Sequence, residues 1–265
     1  MNIHETAVVD RTAELDSSVI VGPYAVIGAD VKIDADTRIE PHAVVSGPST
    51  IGQRNLIGSF ATVGGAPQDL SYRGEPTELI IGDDNQIREY ASIHRGTPGG
   101  KGKTVIGNNC LLMAYIHIAH DCRIGDNVIM ANVATLAGHV QVGERASIGG
   151  LVAVHQFCRI GAFSYIGGVS GLSLDVPPYV IVAGIRDRTR VSGINKVGLR
   201  RNGFSRETIA NLEAVFRIIY RSPNLLLKDA LELARKEFPD CPEVSRMIEF
   251  FETSKRGVVR RTEED

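Results

Sequence analysis

Aliphatic residues recur at every sixth position over most of the chain. The series runs Ile3, Val9, Leu15, Val21, Ile27, Ile33, Ile39, Val45, Ile51, Ile57 and Val63, and Ile81, Ile87 and Ile93 keep its phase. After a slip of one residue it resumes at Ile106. It continues through Leu112, Ile118, Ile124, Met130, Leu136, Val142, Ile148, Val154, Ile160, Ile166 and Leu172. A period of six is neither the 3.6 of a helix nor the plain alternation of a strand. It predicts a short strand followed by a corner, with one aliphatic side chain pointing inward on each side. Glycine often follows the inward residue, as at Gly28, Gly52, Gly107 and Gly125. Three such sides close a coil of about 18 residues, the unit of a β-solenoid.

Two segments break the rhythm. Residues 64–78 keep the count but place Asp69 and Glu75 in inward slots, so this stretch must leave the wall as a loop. Residues 94–104, "HRGTPGGKGKT", add one residue and are rich in glycine and basic groups. Loops that interrupt a rigid scaffold are where function concentrates. The repeat ends after Leu172 at "DVPPYVIVAG", and from Ile194 the period becomes helical. Ser205 is a plausible N-cap for a helix carrying the stripe Ile209, Leu212, Val215, Phe216, Ile219 and Tyr220. Pro223 is expected to open a second helix and Pro242 a third. The expected organisation is a solenoid over 1–190, with loop excursions near 64–78 and 94–104, and a helical domain over 191–265.

Composition narrows the function classes. The chain has 265 residues, 29 basic and 31 acidic, for a net charge of −2, which is not the profile of a nucleic-acid binder. The charge is uneven: residues 1–185 carry −6, whereas residues 186–265 carry +4. Four cysteines lack paired metal spacing, no signal peptide opens the chain, and no apolar run reaches the ~20 residues of a membrane span. A cytoplasmic protein with free thiols is the expectation.

The repeat resembles that of the hexapeptide-repeat acyltransferases. The resemblance implies a left-handed parallel β-helix, an exception to the usual right-handed crossover. It also implies a homotrimer with sites between subunits.

The phase aims each histidine. His117 precedes inward Ile118 and therefore points out, and His120 follows it by two, at an outer corner. The 18-residue coil stacks His120, Gly138 and Gln156 in one column and Asp121, His139 and Phe157 in the next. Ala119, Ala137 and His155 form a third. Successive coils lie ~4.8 Å apart, so residues distant in sequence share one small patch. Polar residues on a solenoid face are the bland reading for any single outward histidine. The convergence of four histidines, an aspartate, a glutamine and a bare glycine favours chemistry. A neutral imidazole can take a proton, and a carboxylate can fix its tautomer. A glycine N–H with no side chain in front is suited to an oxyanion. Base plus oxyanion donor indicates acyl transfer to a hydroxyl. The spacing pairs no serine or cysteine with a base, so direct transfer is expected rather than an acyl-enzyme.

A closer resemblance rests on the strings "PQDLSYRGEPTE", "IHRGT", "HIAHDC", "ATLAGHV", "GGLVAVHQF", "DVPPYVI" and "GLRRNGFSRE". In this order they are similar to the UDP-N-acetylglucosamine O-acyltransferase family, across essentially the whole chain. That family moves a 3-hydroxyacyl group from acyl carrier protein to the glucosamine 3-hydroxyl of UDP-N-acetylglucosamine, the first step of lipid A synthesis. The resemblance implies His120 as general base, Asp121 as its support and Gly138 as oxyanion donor. It places Asp69, His117, His139, His155 and Gln156 around the substrate, and Asn195 and Arg201 on the nucleotide side. Gly168 falls at the acyl-chain ruler. Arg200, Arg206, Arg217 and Arg221 on the basic tail are candidates for docking the acidic carrier. No cofactor or metal is expected. Ser71, Val197 and Asn202 depart from the family pattern, so a 3-amino analogue of the sugar stays open as the acceptor. The rival classes are a γ-class carbonic anhydrase, with a metal on His117, His120 and His139, a neighbouring N-acyltransferase, and a non-catalytic solenoid.

Overall fold

The structure, a computed structural model, describes residues 2–185, 188–222 and 224–260. The six-residue period becomes a three-sided prism whose walls are sheets of eleven, nine and eight short strands. The first wall starts at Asn2–Ile3, the second at Val8–Val9 and the third at Glu14–Leu15. Every strand but the last of the first wall pairs in parallel with the strand one coil away. Ile118 therefore lies level with Ile93 below and Leu136 above. The coil winds left-handed.

The inward column is the core. Ile27, Ile57, Ile87, Ile118, Leu136, Ile148 and Ile166 are all buried. Small second-layer residues, such as Ala25, Ala43, Ala61, Ala134 and Ala146, fill the corners between them. Ile3, on the first described coil, is 37% exposed. The corners are built from non-glycine residues with positive φ, including Asp121 at +61°, His139 at +63° and Phe157 at +65°. That left-handed region is sparsely used by ordinary residues, and a sharp corner requires it.

The wall outlasts the repeat. The six-residue count stops at Leu172, yet Val176 bridges Ile160, and Val180–Ala183 pairs in parallel with Tyr165–Ile166. The last coil is two residues short, which hides it from the period. Arg190–Ile194 then turns back antiparallel on Val180–Ala183 and closes the first wall.

Four helices follow among the described residues: α1 (Lys196–Arg201), α2 (Arg206–Tyr220), α3 (Leu227–Glu237) and α4 (Pro242–Glu252). Ser205 caps α2 by accepting from the Thr208 amide at 3.0 Å, and the buried stripe is Ile209, Leu212, Val215, Phe216 and Ile219. Pro242 is the first residue of α4, as expected. The second expected start is corrected: α3 begins at Leu227, and Pro223 lies outside the described residues. The chain after α4 returns to the prism, where Val259 donates to the Asp175 carbonyl and Asp175 donates to that of Gly257. Among the described residues no helix is long and apolar enough to cross a membrane.

Both loop excursions leave the same edge. Residues 66–77 follow the second-wall strand Thr62–Gly65, and residues 95–102 follow Ser92–His94. His117–Ile118 is the next strand up that wall, so His120 sits at the corner both loops overhang.

Candidate active site

Four donors surround one carboxylate at this corner. Asp121 has no exposed side-chain surface. Its Oδ2 accepts from the Thr97 hydroxyl at 2.6 Å, the Thr97 amide at 3.1 Å and His120 Nδ1 at 2.8 Å. Its Oδ1 accepts from the Lys101 amide at 2.9 Å. Burial alone would raise this carboxyl, but the bonds from Thr97, His120 and Lys101 hold it below its ordinary value. An ionised carboxylate only accepts, so the proton of neutral His120 is on Nδ1 and its Nε2 carries the free lone pair.

Gly138 is what lets the ring lie there. A Cβ on Gly138 would meet His120 Cε1 at 2.6 Å and Nε2 at 2.7 Å. Among the described residues the Gly138 N–H has no hydrogen-bond partner. His139 faces the edge of His120, centroids 5.1 Å apart, and stacks on Phe157 at 4.4 Å. Its Nε2 is 3.8 Å from Asp121 Oδ2. Burial pushes His139 below the usual imidazole value, with Asp121 opposing and His120 assisting.

A second chain of bonds holds His117. The Nδ1–H of His94 donates to the Ala66 carbonyl at 2.7 Å, so its Nε2 must accept from the Ser92 hydroxyl at 3.2 Å. That uses the one hydroxyl proton, so His117 Nδ1 donates to Ser92 Oγ at 3.3 Å, leaving His117 Nε2 as an acceptor. Burial, and then His94, lowers the His117 pKa. The six-residue phase did not reveal Ser92 as a partner of histidines. Ser92 lies level with His117, but 25 residues away rather than 18, because residues 95–102 intervene. Thr97 escaped for a related reason, since no period governs a loop. The only signal was the string "IHRGT" itself.

Asp69 accepts at 2.8 Å from both the amide and the hydroxyl of Ser71, and these bonds hold its pKa down. His155 and Gln156 are exposed on the coil above. His120, Asp121 and His139 offer ligand atoms within 4.8 Å of one another, a spacing that could hold a metal ion. His117 is not in that group, so the three-histidine metal set does not assemble within one chain.

The remaining residues lie elsewhere on the chain. Asn195 caps α1, its side-chain oxygen accepting from the Gly198 amide at 3.1 Å while its amide donates to the Phe163 carbonyl at 2.9 Å. Arg200, Arg201 and Arg206 are exposed. Arg217 and Arg221 line a cleft of about 290 Å³ with Lys196, Glu213 and Phe216. Gly168 is exposed beside Gly150, and Tyr165 is 43% exposed nearby. A wider cleft of about 500 Å³ lies between the third wall and α4, lined by Arg123, Arg159 and Phe250. None of the histidines lines it.

Known proteins resemble this chain over nearly their full length. The family described as Udp N-acetylglucosamine O-acyltransferase, Domain 2, matches residues 175–259, and the bacterial transferase hexapeptide repeat matches residues 103–138. An acyl-[acyl-carrier-protein]–UDP-N-acetylglucosamine O-acyltransferase from Thermodesulfovibrio yellowstonii is 51% identical over 97% of this chain and 99% of its own. The solved Francisella novicida UDP-N-acetylglucosamine acyltransferase superposes with a TM-score of 0.95 at 37% identity, covering 98% of this chain and 95% of that one. The Moraxella catarrhalis UDP-N-acetylglucosamine O-acyltransferase gives 0.94 at 43% identity, covering 98% and 100%.

Proposed function

This chain belongs to the UDP-N-acetylglucosamine O-acyltransferase family, and from that premise we propose that it moves a 3-hydroxyacyl group from acyl carrier protein to the glucosamine 3-hydroxyl of UDP-N-acetylglucosamine. The step is the first of lipid A synthesis, in the cytoplasm. One observation carries the mechanism: His120 Nδ1 is tied to a buried carboxylate at 2.8 Å, which leaves Nε2 as the base.

In this reading His120 Nε2 takes the proton of the sugar hydroxyl as its oxygen bonds to the thioester carbonyl carbon. Negative charge gathers on the carbonyl oxygen, which the unpaired Gly138 N–H stabilises. The C–S bond then breaks, and the proton passes from His120 to the departing thiolate. Asp121 stabilises the transient imidazolium and does not itself take a proton. His117 Nε2, held as an acceptor, receives a sugar O–H or N–H. Asp69, His139, His155 and Gln156 complete the acceptor side, and Gly168, with no side chain at the acyl-chain ruler, leaves a longer channel for the tail than a bulky residue would.

The active unit is a homotrimer. The histidine cluster lies on an open corner, so a second copy supplies the opposite wall, with Asn195 and Arg201 on the nucleotide side. A ridge of stacked rings also asks for cover. Tyr24, His42, Phe60, Tyr90 and Tyr115 stack at 4.7–5.1 Å along one edge, and exposed Val133, Leu151 and Val169 extend it. Arg200, Arg206, Arg217 and Arg221 attract the acidic carrier.

The test is incubation with UDP-N-acetylglucosamine and a panel of 3-hydroxyacyl carrier proteins, with product masses recorded. An O-acylated sugar nucleotide is expected, and its loss by at least about 100-fold in His120→Ala. A product formed only from a 3-amino sugar nucleotide corrects the acceptor. The Ser92–His94 contact favours a second reading, an acyl-enzyme on Ser92. Direct transfer requires Ser92→Ala to turn over and the trapped enzyme to keep its unmodified mass.

A further inference from the structure

We propose that Thr97 is a positioning residue for the transfer, holding Asp121 so that His120 is kept in its reactive orientation. The inference rests on the reading of His120 as base and extends it to a residue that never meets substrate.

Asp121 stands at a corner with φ of +61°, next in sequence to the histidine it supports. Successive side chains usually diverge, so the contact between the two depends on what fixes the carboxylate. The prism supplies none of those contacts. Besides His120, every donor to Asp121 among the described residues comes from residues 95–102: the Thr97 hydroxyl at 2.6 Å, the Thr97 amide at 3.1 Å and the Lys101 amide at 2.9 Å. The hydroxyl bond is the shortest of the set. Thr97 is itself buried, 4% exposed, and its carbonyl accepts from the amides of Gly100 and Gly102 at 3.1 and 3.0 Å. The turn is thereby closed on itself before it grips the carboxylate. The grip is tight, because a Cβ on Gly100 would meet Asp121 Oδ1 at 2.3 Å.

Two roles are divided between the oxygens. Oδ1 answers the Lys101 amide, whereas Oδ2 is shared by Thr97 and His120. Removing the Thr97 hydroxyl leaves Oδ2 with only a long amide bond besides the imidazole. The carboxylate keeps the Lys101 and Thr97 amides but loses its shortest bond, so Oδ2 is held less firmly against the Nδ1–H of His120. The loop thus acts on the proton transfer without a group of its own in the reaction. A Thr→Val change removes that hydroxyl while preserving shape.

The variants Thr97→Val, Thr97→Ser and Thr97→Ala are assayed beside His120→Ala and Asp121→Asn in the full-length protein, with circular dichroism confirming fold. Thr97→Val is expected to lower kcat about 10-fold or more with KM for both substrates within about twofold. Thr97→Ser, which keeps the hydroxyl, is expected to recover kcat to within about threefold. Adding Thr97→Val to Asp121→Asn is expected to cost little further, because both act through one contact. Should Thr97→Val fail to fold, the comparison of Thr97→Ala with Thr97→Ser decides by the same criteria. Wild-type kcat in the variants lacking the hydroxyl, or equal losses in Ser and Ala, overturns the proposal. Full activity in His120→Ala instead overturns the base assignment on which it rests.

Discussion

At the scale of single residues, the absence of one carbon atom decides where the His120 ring can sit. The His120 ring occupies the space a side chain on Gly138 would need. Gly138→Ala is therefore expected to displace the imidazole and lower kcat about 100-fold or more, in a protein whose melting temperature shifts little. The crystal structure of the variant checks the displacement. The histidines also couple stability to pH. His117 and His139 are both held below the ordinary value of 6.5, chiefly by burial. The unfolded chain thus binds protons first as pH falls through 6.5, so stability is full above that range and declines below it. Asp121, held below 3.8, adds a second loss at stronger acid, present above that value and gone once the folded carboxyl protonates. Melting scans from pH 8 to 4 should show the first decline, and His117→Gln should make it shallower.

At the scale of elements, a short strand and two loops divide the work. Ser92–His94 ends in Arg95, whose Nη1 donates to the carbonyls of Gly47 at 2.8 Å and Gly64 at 2.7 Å, and whose Nη2 donates to the Tyr72 hydroxyl at 3.2 Å. The guanidinium straps residues 66–77, which carry Asp69, to the prism. Arg95→Ala is expected to raise KM for the sugar nucleotide about 10-fold with a smaller change in kcat, and Arg95→Lys to behave similarly, because an ammonium cannot bridge three acceptors with planar geometry. Inward residues answer to a different measurement. Ile118→Ala in the buried column is expected to cost about 2–5 kcal/mol in chemical denaturation, because coils above and below cannot close on the cavity.

The element scale also separates what was legible from what was not. The inward slots as far as Leu172 came from the period, and so did the column that puts Gly138 against His120. The loops did not. Thr97 and Ser92 join the site through hydrogen bonds across an insertion that shifts the coil spacing from 18 to 25. The short final coil at Val176–Ala183 was missed because it falls two residues under the 18-residue count.

At the scale of the whole molecule, the prism carries the histidine cluster on one edge and an apolar ridge on another. Stacked rings from Tyr24 to Tyr115 are well ordered against each other, yet they remain open to solvent in the single chain; Phe60 is 47% and Tyr115 54% exposed. A mass near three times the 28.6 kDa chain is expected in light scattering. Phe60→Glu with Tyr90→Glu is expected to shift that mass toward one chain and to abolish activity with it. A variant that stays trimeric places the interface elsewhere. The basic helices enter at the same scale: reversing Arg217 and Arg221 to Glu is expected to raise KM for the acyl carrier protein, most strongly at low salt.

The sequence alone determined the solenoid, because a coil of fixed length repeats its inward residue and that periodicity survives in one dimension. It also determined which histidines face out and which share a column. Only the tertiary structure decided which atom of each ring is free, since a tautomer is set by the partner across space. Asp121, Thr97 and His120 meet because a loop folds back over a corner, and no spacing along the chain records that return.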